Sequence, residues 1–341
     1  MSAELCSIIS QLSSVFSKTE DIQEKFQALE SLCAIFTVFK LPNDQFAQQQ
    51  KKEEWVKNTR NTLFTLLSTK LSTDHKGSAL FLVNQMIEIF GDGWIIEKEK
   101  LVELLIQTCR IEICLFLGGY EQKKLEDNAL VNINKQEDVH LLINCYNLVE
   151  KIIKALVSED ETIGSLPNQS FLIIKQAIDD IFSAIIKFLM AFQKANKCDV
   201  PFVFATFKLY AIWLAEDTDA LNEQFYKLLP YLLRLTSAPL QKGERDFTAI
   251  QFLLPAFDMC IATDTELCGP AAQNLVSAGV HVALHEWLEK TISSMRTEEA
   301  LEREELKKGV DVLLQLQLIE NIELMSISPV VTNFLDNFLN E

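Results

Sequence analysis

Glycine and proline are scarce, at 10 and 8 of 341 residues. That poverty of turn formers argues against a loop-rich or all-β protein. Strand-like alternation of apolar and polar residues does not persist beyond a few positions, whereas helical spacing appears almost everywhere. Basic residues are outnumbered, 31 to 48, for a net charge of −17. So acidic a chain repels a phosphate backbone, which excludes nucleic acid as an expected partner. The eight cysteines include no C-x-x-C pair, so neither a zinc knuckle nor a dithiol redox motif is present. Scattered among apolar neighbours, they read as small hydrophobes in a reducing compartment. The opening "MSAELCSIISQL" has Glu4 and no basic flank, unlike a secretory leader. No 18-residue run is free of charged or strongly polar side chains, so no membrane span is expected. The chain reads as cytosolic.

What is abundant is apolar helix: 48% of residues are hydrophobic, and 22 are Phe. About a dozen helices with short polar links are expected. Ile22, Phe26, Leu29, Leu32, Cys33 and Phe36 share one face of the second. A long helix over Glu97–Leu117 is expected to end at Gly118–Gly119. Single helices are expected over Ala271–Thr291 and Thr297–Ile319, and a short last one near Phe338. Loops are expected at 120–135 and 236–246. The richest stretch is "FVFATFKLYAIWLAEDTDALNEQFYKLLPYLLRL", from Phe202 to Leu235. Its first helix is apolar on so many sides that it must be covered on several. Its second is expected from Thr218, capped by Asp217 or Thr218, with Leu221, Phe225, Leu228, Leu229 and Leu232 as its stripe. Pro230 falls inside that helix, and "LLP" recurs at Leu253–Pro255; an internal proline removes a backbone bond and bends the axis. Bent helices in antiparallel layers and breaks at varied intervals point to an all-α fold. The expected fold is one armadillo- or HEAT-like solenoid over 1–341, with a sub-boundary near 158–168.

Groups that carry chemistry are few. His281 and His285 lie at i, i+4 in "HVALHEWLE", a spacing that puts both imidazoles on one helix face as a metal site needs. The H-E-x-x-H pattern fails, because Leu288 is followed by Glu289. "GDG" at Gly91–Gly93 lacks the later glycine of a phosphate loop and follows a helix, so a helix C-cap is expected there. The carboxylates of "SEDET" (Ser158–Thr162) and "AEDTD" (Ala215–Asp219) fall in turns, where solvated caps are expected. "TEEALEREELKK" (Thr297–Lys308) pairs Glu299 with Arg303 and Glu304 with Lys308 at i, i+4, as a solvated helix does.

"PFVFATFKLYAIWLAEDTDALNEQFYKLLPYLLRL" resembles the most characteristic segment of the neurochondrins. Similarity continues at "ALFLVNQMIEIFGDGWI", "LVELLIQTCRIEICLFL", "LINCYNLVEKIIKALV" and "IQFLLPAFDMC", in the same order, from about Ser68 to Cys260. The resemblance implies an armadillo-like α-solenoid in the cytoplasm. It also implies a non-enzymatic adaptor of neurite outgrowth and calcium/calmodulin-dependent kinase signalling, without catalytic residues or cofactor. Its partners would be proteins: a kinase, a receptor tail or a trafficking factor. The chain is shorter than typical members and matches their middle and later part, so much of their N-terminal array is expected to be missing. Two other readings stand beside this one. A HEAT-type subunit of a larger assembly fits the same pattern, and an enzyme would have to use His281, His285 and Glu286. The oligomeric state and docking face stay open.

Overall fold

A computed structural model describes residues 3–38, 50–51, 53–126, 136–157, 167–195, 201–217, 220–237, 249–263, 269–294 and 300–320. Among these residues there is no strand. In chain order the helices are α1 (Ala3–Lys18), α2 (Ile22–Val38), α3 (Glu54–Leu67), α4 (Thr73–Phe90), the one-turn α5 (Gly93–Ile96), α6 (Glu99–Glu126) and α7 (Gln136–Val157). They continue as α8 (Asn168–Lys194), α9 (Pro201–Leu214), α10 (Glu223–Ser237), α11 (Leu254–Thr263), α12 (Pro270–Ser277), α13 (Val280–Ser294) and α14 (Ala300–Glu320). A 3₁₀ turn at Ala249–Leu253 leads into α11. The chain divides into two compact units, Met1–Ala184 and Ile185–Glu341, and the division falls inside α8.

In the first unit the helices form two rows. One row runs α1, α3, α6, α8. The Ser13 hydroxyl of α1 meets the Trp55 carbonyl and the Thr59 hydroxyl of α3. Arg60 of α3 donates from Nη1 to the Trp94 carbonyl at 2.8 Å and to Glu97 beside the start of α6. Arg110 of α6 pairs with Asp180 of α8 at 2.8 Å. The other row runs α2, α4, α7. The Cys33 thiol of α2 donates to the Ser78 carbonyl of α4, and Phe26 stacks on His75 with centroids 3.5 Å apart. Asn84 of α4 donates from Nδ2 to the Asn144 carbonyl of α7 at 3.0 Å. Within each row the matched residue numbers rise together: 26 with 75 and 33 with 78, then Ser170 with Glu99 and Asp180 with Arg110. In these two pairs the row neighbours are therefore parallel, while sequential helices pair between rows (α1 on α2, α3 on α4, α6 on α7). That is the stacking of an α-solenoid, in which each repeat buries its apolar face on the next.

α4 shows how the sequence writes one such element. Ser72 caps its start by accepting from the His75 amide, which satisfies one of the orphan donors of a helix N-terminus. Gly91 ends it with φ 76°, its amide donating to the Ile87 carbonyl at 2.8 Å. Between them Leu80, Val83, Met86, Ile87 and Phe90 are buried, because α2, α3 and α7 cover different sides. Each such side chain is worth about 1.5–3 kcal/mol when fully removed from water.

The second unit carries the stretch that was richest in apolar residues. In α9 Val203, Phe207, Tyr210 and Leu214 are fully enclosed, and of its described side chains only Ala205 and Lys208 are exposed. Phe188 of α8 meets Phe202 edge-on at 5.5 Å, and Phe252 of the 3₁₀ turn meets Phe204 at 6.5 Å. α10 buries Phe225, Leu228, Leu229 and Leu232 as the stripe requires, together with Tyr231; Leu221 precedes it, half-buried.

Several elements differ from the sequence reading. α6 runs through Gly118 and Gly119 to Glu126, because neither glycine takes the positive φ with which glycine ends a helix. α10 starts at Glu223 rather than Thr218, since the Asn222 side chain supplies the cap by accepting from the Gln224 amide at 2.9 Å. Gly279, at φ 85°, divides the helix expected over Ala271–Thr291 into α12 and α13. Pro230 is internal to α10, but Pro255 occupies the first turn of α11, where its missing N–H costs no hydrogen bond. The turn expected at 158–162 and the last helix near Phe338 lie outside the described residues.

Candidate interaction grooves

His281 and His285 lie one turn apart on α13, both half-buried. His281 Nδ1 is enclosed without a hydrogen-bond partner. Among the described residues no three His, Cys, Asp or Glu side chains converge to hold a metal. The Gly91–Gly93 stretch is a turn between α4 and α5. The Asp92 carbonyl there accepts from the Ile95 amide at 3.1 Å, and burial holds the Asp92 carboxyl above its ordinary range against the pull of Lys151 and Lys154. In the "AEDTD" turn the Asp217 carbonyl accepts from the Ala220 amide. Lys308 lies 3.6 Å from Asp258 of α11; Glu299, Arg303 and Glu304 fall outside the described side chains.

Among the described residues, two of the open grooves lie between helices. The first, about 290 Å³, sits in the first unit where α2, α4 and α7 meet, and is lined among others by Cys33, Asp74, Phe81, His140 and Asn144. In its wall a methyl on Gly77 would make ordinary contact with the Leu141 Cα at 4.0 Å, and Asn144 donates from Nδ2 to the Gly77 carbonyl. Burial, with Glu30 adding to it, pushes the Cys33 thiol up to about 12. It therefore stays protonated and is a poor nucleophile. Cys145 of α7 is held well above its usual range, first by its hydrogen-bonded neighbour Cys109 of α6 and then by burial.

The second groove, about 390 Å³, belongs to the second unit. One wall is the face of α10 that carries Pro230, Leu233 and Arg234; the other is the stripe of α13 that carries Val282, Ala283, Glu286 and Lys290. The buried Ile250 of the 3₁₀ turn and Trp287 are also in the lining. Gly279 opens this groove because its φ turns α12 into α13. Sequence reading singled out Pro230 as a bend and left Gly279 unremarked. The signal for it was one glycine within an otherwise unbroken helical pattern.

A third polar centre joins α6 to α8. The buried Ser170 hydroxyl lies against the carboxylates of Glu99 and Glu103. Ser170, then Lys100, hold the Glu103 carboxyl below its ordinary range, against its partial burial.

No helix among the described residues is long and apolar enough to cross a membrane. No solved structure matches the chain significantly. The family model of the neurochondrins matches residues 1–328, so the likeness reaches well beyond Ser68–Cys260 on both sides. Over 242 residues the chain is 26% identical to a neurochondrin of Gallus gallus, which covers 70% of this chain and 32% of that protein. It is 27% identical over 246 residues to one of Homo sapiens, with 71% and 30% covered. It is 22% identical over 254 residues to a neurochondrin homolog of Drosophila melanogaster, with 70% and 34% covered. The matched stretch thus spans about a third of the length of these relatives. With helices stacked in two rows and a family match over nearly its whole length, this chain belongs to the neurochondrin family.

Proposed function

We propose that this chain is a non-catalytic cytoplasmic adaptor that holds signalling or trafficking proteins on surfaces between its stacked helices. A kinase, a receptor tail or a trafficking factor would be the partner. The observation that carries this reading is the groove between α10 and α13. It combines a large aromatic residue, aliphatic side chains and an exposed arginine, Arg234, in one open cleft. Tryptophan and arginine in partly enclosed sites dominate the energetics of protein interfaces. The buried thiols and the Asp92 carboxyl are each shifted toward the neutral form, which suits packing more than acid–base work. The test is affinity capture from native cytosol on the immobilised chain, with a variant of scrambled surface charge as control. Reproducible enrichment of a defined set of proteins over that control is expected. Enrichment of none would overturn the adaptor reading.

A further inference from the structure

No further inference is drawn: the strongest candidate, the open groove between α10 and α13 that Pro230, Val282 and Trp287 help to line, belongs to the surface already described, and nothing in the structure shows what covers it.

Discussion

A methyl group added at Gly309 would lie 2.5 Å from Cζ3 of Trp287. Trp287 is buried on α13, and its indole is a rigid plane rather than the tip of a flexible side chain, so it must shift as a whole. Alanine usually stabilises a helix relative to glycine by about 1 kcal/mol; here overpacking reverses the sign. Gly309→Ala is expected to destabilise by about 1–3 kcal/mol, read as a lower urea midpoint. Gly118 and Gly119 are the counter-case. They sit inside α6 without positive φ, and a methyl on either meets nothing within 4 Å. Gly118→Ala and Gly119→Ala should each stabilise by up to about 1 kcal/mol. Sequence alone read that pair as a stop, since the residue type does not reveal the backbone angle it adopts. Ser170 gives a residue-scale dependence on pH. Its hydrogen bond is the largest influence holding the Glu103 carboxyl below the ordinary value of 4.5. A depressed carboxyl contributes stability above its unfolded pKa and loses it as the pH falls through the folded value. Ser170→Ala should therefore be less stable than the parent at neutral pH, with the difference shrinking below about pH 4.5. A difference constant from pH 7 to 3 would show that Ser170 acts by packing alone.

Between elements, the join of α4 to α7 is specified by more than apolar contact. Asn84 donates to the Asn144 carbonyl, Asn144 donates to the Gly77 carbonyl, and Lys151 donates to the Asn84 carbonyl while pairing with Glu88 at 2.7 Å. These contacts step up both helices together and fix one register, whereas leucines would tolerate a slip. Asn84→Ala and Asn144→Ala, combined in a double-mutant cycle, should show a coupling of about 0.5–1.5 kcal/mol in urea unfolding. Additive effects would mean that the two amides act independently. None of this seam was legible beforehand. An Asn inside an apolar helix gives no sign of which neighbour it will meet, because that depends on the stacking order. The helices themselves were legible where apolar periodicity is strong, as in α9 and α10. Boundaries set by one residue's backbone, such as Gly279 and Asn222, were not. Likeness of local sequence also misled: "LLP" is interior to α10 yet opens α11, since a proline's effect depends on its position in the helix.

Across the whole chain, the acidic excess sets how stability responds to salt. Even if every one of the 31 basic side chains found an acidic partner, 17 carboxylates would remain uncompensated. Several described ion pairs are exposed on both sides, such as Lys227 with Glu223 and Lys308 with Asp258, and such pairs contribute about 0–1 kcal/mol. Repulsion among the surplus carboxylates is spread over the folded surface and relaxes when the chain expands. Salt weakens both effects, but the surplus has no attraction to lose. Raising NaCl from 10 to 150 mM shortens the screening length from about 30 Å to about 8 Å, so the urea midpoint at neutral pH should rise. Chloride is the right anion for this test, because sulfate would strengthen apolar burial by itself. A midpoint that fell with NaCl would mean that attractive pairs outweigh the surplus, and that the charges are arranged as a stabilising network rather than as a solvated acidic coat.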